Sequence, residues 1–346
     1  MIVQPYLLKN NHVISCSSSN DIMNFHLEFN PKRFTKTISH QHKLLLIGSC
    51  FTENIGTKLK HHKFDVLENP HGILFNPASI TKSICSYISN KQYTSDDLFY
   101  ENECWNSWDH HSRFSHAIEA ECLKGINRSQ QAGHAAILKA DWLFITVGSA
   151  FVYELAGNGG VVANCHKVAT DKFIKRLLSV QEIVAGFQDM FGDLFAINPA
   201  IKIIFTISPV RHLRDGFIEN NRSKSALIQA IHQLTDDNEN MFYFPAYELI
   251  IDDLRDYRFY AEDMVHPNYA ATNYVWEKFV ATFIDEPAQK LMKEINIINA
   301  AKHHKPFHPA SQQHKRFLQV NLEKINQLQK QYPYINFDEE YSFFGL

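Results

Sequence analysis

Short apolar, β-branched runs recur along the chain and alternate with stretches of helical periodicity. Lys43–Gly48 (KLLLIG), Phe64–Leu67, Trp142–Gly148 (WLFITVG), Ile201–Ile207 (IKIIFTI) and Met241–Phe244 read as strands. Near-continuous apolar runs of this length suit strands covered on both faces. Phe51, Ile55 and Leu59 form one stripe after the first strand, which predicts a helix there. Pro77–Ser89 opens with a proline at a first helical position. His116–Ala140, Asp171–Phe195 and Asn220–Leu234 read as further helices. Tyr269–Ile284 carries Val275, Trp276, Phe279, Val280 and Phe283 on an apolar face. Strand–helix alternation of this kind predicts an α/β fold, with a doubly wound, mostly parallel sheet of about five strands.

Two regions depart from the alternation. Leu98–Ser115, rich in Trp, Asn and His, reads as an inserted hairpin or loop. Residues 291–346 read as a helical C-terminal extension, with Ser311–Tyr332 carrying Phe317, Val320, Leu322, Ile325 and Leu328 at roughly helical spacing. The aromatic end, INFDEEYSFFGL, can dock back on the body or form an interface between copies in a homo-oligomer. Residues 1–22 are polar and are expected to be peripheral, which leaves 23–290 as the main domain.

Composition narrows the function classes. With 34 basic against 37 acidic residues and a formal net charge of −3, the chain sets up no general field for nucleic acid or anionic membrane. No window is apolar enough to span a bilayer. The first residues lack a basic and then an apolar segment, so the expectation is a cytoplasmic protein. Six cysteines occur without a CxxC pair, and the 19 histidines show no HExxH spacing. Neither a metal nor another cofactor is expected.

The chemistry concentrates in two places. Ser49 directly follows the first strand, behind Gly48 and ahead of a helix. A serine there projects from the carboxyl end of a strand, where open α/β sheets place their ligands. Free N–H groups at the helix start favour a developing oxyanion. Ser49 is equally suited to be a plain helix N-cap. Cys50 is a rival nucleophile at the same turn, or a small buried residue beneath it. Far along the chain, Asp263 and His266 lie three apart and meet if the segment forms a helical turn. A carboxylate on one imidazole nitrogen leaves the other free to take a hydroxyl proton. A local Asp–His contact in a surface loop fits the same spacing. The order of Ser first, with Asp and His before the last helix of the domain, favours a Ser49–Asp263–His266 triad.

The blocks around these residues resemble one family. Gly48-Ser49-Cys50-Phe51-Thr52 is similar to the motif that names the GSCFA domain family, with Thr52 in place of its Ala. HGILFNP (71–77), TVGSAFVYE (146–154), NCHK (164–167), SPVRHLRDGFIENNRSK (208–224) and DMVHPN (263–268) also resemble it, in order, within about residues 23–290. That family is similar to the SGNH/GDSL-type serine hydrolases. The resemblance implies a flavodoxin-like sheet and a Ser–Asp–His triad. It also implies an oxyanion hole that includes the Ser49 and Gly72 N–H groups. The third SGNH block, usually GxND, reads Gly148-Ser149-Ala150-Phe151 here, so Ala150 stands where an asparagine donor is expected. Loss of one such donor usually costs about a hundredfold in rate. Asn76 or Asn164 is the expected substitute. His166, Arg211 and His212, with Arg214 beside them, are expected to bind substrate, an anionic or hydroxyl-rich one for the Arg211–Arg214 group, although Asp215 and Glu219 offer the two arginines ordinary salt bridges.

The sequence therefore predicts a serine ester hydrolase acting on a small-molecule or carbohydrate ester, such as an acetyl ester, through an acyl-Ser49 intermediate. A Cys50-dependent thiol enzyme and a non-catalytic ligand-binding protein on the same scaffold are the alternatives.

Overall fold

The computed structural model describes residues 26–157, 159–236 and 238–345. The predicted peripheral segment 1–22 lies outside these residues. Five strands form the central sheet: β1 (Lys43–Gly48), β2 (Asp65–Glu68), β5 (Trp142–Val147), β9 (Lys202–Ile207) and β10 (Met241–Phe244). Their order is β10-β9-β5-β1-β2, and every pairing is parallel. Counted among themselves, the strands run 2-1-3-4-5, the flavodoxin-like order, whose direction reverses between β1 and β5. The protein is thus an α/β fold wound on both faces, with a helical C-terminal region.

Alternation within β1 shows why both faces are apolar. Leu45 and Ile47 join one core with Ile80 and Ile84 of α2 (Pro77–Ile88), Phe187 of α4 (Val180–Ile197) and Leu227 of α5 (Gly216–Thr235). Leu44 and Leu46 join the other core, with Phe51, Ile55 and Leu59 of α1 (Cys50–His61) and Val275, Phe279 and Phe283 of α7 (Tyr269–Phe283). Full burial of each such side chain contributes about 1.5–3 kcal/mol.

Two small sheets sit beyond the carboxyl edge of the strands. The expected insertion is a hairpin of β3 (Phe99–Glu101) and β4 (Cys104–Asn106), turned at Asn102 and Glu103 with φ of 51° and 60°. Such paired positive φ values match the right-handed twist of a tight hairpin. The helix expected over Asp171–Phe195 is corrected at its first half. Phe173–Leu177 is strand β8, paired antiparallel with β6 (Phe151–Leu155), which also pairs with β7 (Val161–Val162). Helix α4 begins only after Ser179, which caps it reciprocally with Glu182. That Ser-x-x-Glu box is a start signal within the segment, and it separates a half-exposed strand from a buried helix.

Helix α3 (Glu119–Ile137) follows the hairpin, and α6 (Ala246–Glu248) is a single turn after β10. Helices α8 (Glu286–Lys302), α9 (Gln312–Gln331) and α10 (Asp338–Phe344) form the extension, around a core that includes Leu291, Ile295, Ile325, Phe337 and Phe344. The aromatic end therefore docks on α8 and α9. The buried Glu340 carboxylate pairs with Lys63 Nζ at 2.7 Å, just beyond α1. Among the described residues no helix is long and apolar enough to cross a membrane.

Candidate active site

The strand register brings three chain turns to one level. Gly48 is opposite Thr146, and Thr146 is opposite Thr206. Ser49, Gly148 and Ser208 therefore follow the sheet edge side by side, at the point where strand order reverses. Gly48 has a φ of +151°, and a Cβ there would lie 2.3 Å from Thr146 O. Its N–H donates to Asn69 Oδ1 at 2.8 Å. Gly48→Ala is expected to destabilise the fold by about 2–5 kcal/mol, from the unfavourable φ and overpacking against backbone. A denaturant-midpoint measurement checks this.

Ser49 is the N-cap of α1 and only 3% exposed. Its Oγ accepts the Phe51 N–H at 3.3 Å. Cys50, the first residue of α1, is half-buried. Burial, and then the Glu53 charge, push the Cys50 thiol up; the Phe51 and Cys50 N–H groups and the Lys224 charge oppose this.

Asp263 and His266 meet as expected, but in a loop turn rather than a helical one. Asp263 Oδ1 accepts the Val265 and His266 N–H groups, each at 2.9 Å, while Oδ2 lies 2.6 Å from His266 Nδ1. The backbone N–H of His266, the His266 ring and the Val265 N–H hold the Asp263 carboxyl at about 2. Both side chains are about half exposed. The loop is tied to the sheet edge by Arg211 N–H donating to Val265 O at 3.2 Å. Asn268 Oδ1 then starts α7 by accepting the Ala271 N–H. Among the described residues no hydrogen bond joins Ser49 to His266.

The expected oxyanion donors are largely engaged. Ser49 N–H donates to Thr146 O at 3.2 Å, and Gly72 N–H donates to Asn69 O at 2.8 Å. The Asn76 amide caps α2, with Oδ1 accepting the Ser79 N–H and Nδ2 donating to Ser79 Oγ. Asn164 Oδ1 accepts the His166 N–H, and Asn164 Nδ2 makes no hydrogen bond among the described residues.

His212 was expected to bind substrate, and it lies close to the edge. Its ring packs on Phe75 at 5.4 Å between centroids. A Cβ on Gly148 would come within 3.1 Å of His212 Nε2. That nitrogen is buried and has no hydrogen-bond partner among the described residues. Burial, then the Lys224 and His266 charges, bring His212 down to about 4, so the ring is neutral at pH 7. The salt bridges open to the arginines go elsewhere: Asp215 pairs with Lys175, and Glu219 with Arg222. Arg211 instead lies over Tyr260 at 4.3 Å.

Lys224 is a residue the sequence reading gave no role. It is 1% exposed, and its Nζ donates to Gly148 O at 2.7 Å and Ser208 O at 2.6 Å. It thereby clamps the chain just past β5 to the chain just past β9. Burial pushes its amine down to about 7. A lysine in a helix otherwise showing its apolar side to the core (Leu227, Ala230, Ile231) was the available signal.

Asn76, Asn164 and His166 converge on a cavity of about 500 Å³ that shares its Phe75 wall with His212. His166 Nε2 is committed to Ser107 O at 2.8 Å, so the inserted hairpin region holds the cavity loop. Among the described residues no cluster of three or more side chains suits a metal ion.

An open parallel sheet with polar groups gathered at its carboxyl edge defines the class of an α/β protein with an edge site. The chain belongs to the GSCFA family, whose model matches residues 43–279; the model of the GSCFA domain protein C-terminal domain matches 295–345. No curated protein matches the chain. Among solved structures it is similar to a carbohydrate esterase family 3 protein from Talaromyces cellulolyticus, at 10% identity and TM-score 0.35, over 74% of this chain and 99% of that one. It is also similar to an acetyl xylan esterase from the rumen bacterium Butyrivibrio proteoclasticus, at 12% identity and TM-score 0.35, over 69% of this chain and 63% of that one.

Proposed function

We propose that the protein hydrolyses carboxylic esters through an acyl-enzyme formed at the β1–α1 turn, with His266 as base and Asp263 orienting it. The observation that carries this reading is the Asp263–His266 pair, whose 2.6 Å contact occupies Nδ1 and leaves Nε2 open. In this mechanism His266 Nε2 takes the Ser49 Oγ proton as the oxygen attacks the acyl carbonyl. The ester C–O bond breaks, and the departing alcohol takes the proton from His266. Water then releases the acyl group, again with His266 as base. Neutral His212, with Nε2 unpartnered against the Gly148 turn, takes the place of the absent asparagine donor. A small acyl group such as acetyl, on a carbohydrate, is the substrate class this reading starts from.

A second reading puts the acyl group on Cys50, because Cys50 is the more exposed of the pair and Ser49 Oγ is engaged in the cap. Two magnitudes rank them. A cap bond is worth about 1 kcal/mol, so releasing Ser49 costs about a factor of ten or less. The raised thiol means no thiolate stands ready at neutral pH. Ser49 leads on that comparison.

Fluorophosphonate treatment of the native protein, followed by peptide sequencing in a mass spectrometer, tests the reading. The expected adduct is on Ser49. An unlabelled Ser49, with hydrolysis blocked by iodoacetamide on Cys50, moves the acyl group to Cys50. No adduct on either residue, with a control esterase labelled, overturns the enzyme reading in favour of a binding scaffold.

A further inference from the structure

We propose that the 500 Å³ cavity beside the turn is a subsite for an anionic leaving group, a sugar or similar alcohol that carries a carboxylate or phosphate. The inference rests on the ester-hydrolase reading for what happens at the scissile bond, but the subsite can be tested by binding alone.

Charge is the first argument. Lys167 and Arg214 line the cavity, and no Asp or Glu does. Neither cation has a salt bridge or side-chain hydrogen bond among the described residues. Of the neighbouring cations, Lys175 pairs with Asp215 and Arg176 with Glu154 and Glu182, while Lys172 has no salt bridge among the described residues. Asp215, Glu154 and Glu182 are thus engaged elsewhere; Asp171, beside the lining residue Thr170, carries no salt bridge among the described residues but does not line the cavity, and the exposed Lys167 and Arg214 leave the lining itself positive. An Arg beside a Lys is a suitable donor set for a carboxylate or phosphate group.

Shape is the second argument. A cavity of about 500 Å³ fits a ligand of one or two sugar rings. Phe75, Tyr153 and Phe173 give it aromatic walls, and Asn164 Nδ2 adds an open donor for a hydroxyl. Continuity is the third. Phe75 packs on His212, and Phe75 O accepts the Gly148 and Ser149 N–H groups at 2.7 and 3.0 Å. Phe75 thus joins the cavity to the Gly148 turn, which ends the strand next to the one that Ser49 follows. Loop 164–168 is also held in a costly shape: His166 and Lys167 have φ of 48° and 59°. Consecutive non-glycine residues of this kind persist only where surrounding contacts impose them.

The test uses the full chain and two readouts. First, kcat/KM is compared for acetylated glucuronic acid, acetylated glucose 6-phosphate and acetylated glucose. At low salt, at least one anionic ester is expected to be turned over about tenfold better than the neutral one. The ratio should fall toward one in 0.5 M NaCl and in the Lys167→Met/Arg214→Met variant. Whichever anion wins separates a carboxylate from a phosphate source. Second, calorimetric titration measures binding of glucuronate, glucose 6-phosphate and inorganic phosphate to the wild type and to the same variant. Hydrolysis of no ester, with anion binding that the variant loses, sinks the hydrolase reading and keeps the subsite. Absence of anion preference in turnover together with no anion binding overturns the subsite. So does a preference that survives both salt and the double substitution.

Discussion

Replacing His266 with alanine is expected to lower ester hydrolysis by about 10,000- to 1,000,000-fold while leaving the fold intact. The first figure follows from the role: without a base, Ser49 must lose its proton to water, and losing the base of such a triad disables the unit as a whole. The second follows from position. His266 is about half exposed, so its contact with Asp263 is screened by water, and its loss should leave stability nearly unchanged. Asp263→Asn should produce a smaller but still large loss, because the amide cannot hold Nδ1–H as the carboxylate does. Asp263 itself sets no limit on activity near neutral pH. Its pKa is depressed to about 2, so its contribution is present above the ordinary carboxyl range and fades only as pH falls toward 2. The check is kcat/KM on an aryl acetate, with a denaturation curve for each variant. A loss below tenfold for His266→Ala removes His266 as base.

The sheet was legible because four of its five strands are largely buried on both faces, the edge strand β2 being only half-buried. Lys43–Gly48 and Met241–Phe244 have the predicted bounds, β5 and β9 are each one residue shorter at one end, and β2 is shifted by one residue along the chain. Continuous apolar runs leave no alternative period to confuse them. Phe173–Leu177 was misread for the opposite reason: it lies in a small, half-exposed sheet, where Phe173, Ile174 and Leu177 also suit a helical stripe. The Asp263–His266 contact was readable because it is local in sequence. Long-range groups were not. Nothing in the spacing says that Lys224 reaches back 76 residues to Gly148 O, or that His212 Nε2 lies against Gly148. Composition could not show that Asn76 is spent on capping α2, since N-cap and oxyanion roles use the same residue type. For Lys224 and His212 the sequence carries the residue's chemistry and only the strand register assigns a partner, whereas Asn76 finds its partner, Ser79, three residues on.

Lys224→Met is expected to destabilise the protein by about 2–5 kcal/mol at pH 8, the largest effect on stability expected from a polar side chain here. Methionine matches the stem but leaves the Gly148 and Ser208 carbonyls without their donor, and each buried unsatisfied carbonyl costs about 1–3 kcal/mol. The pH dependence identifies the cause. Burial lowers the folded-state pKa from 10.5 to about 7, so between those values the unfolded chain binds the extra proton. Wild-type stability therefore rises with pH across that window, by up to about 1.4 kcal/mol per unit. Hydrogen bonds from the ammonium to two carbonyls reduce the slope. The variant has no such group, so its deficit should be smallest near pH 6 and widen by about 1–3 kcal/mol from pH 7 to 9. Denaturant titrations at pH 6, 7, 8 and 9 measure this. A deficit that stays constant with pH would mean that Lys224 keeps an ordinary pKa despite burial. A variant as stable as the wild type would mean that the β5 and β9 ends hold their places without the clamp. The clamp also bears on the candidate site, because Gly148 ends the strand next to β1 and Ser208 the one beyond it, at the level from which Ser49 leaves the sheet.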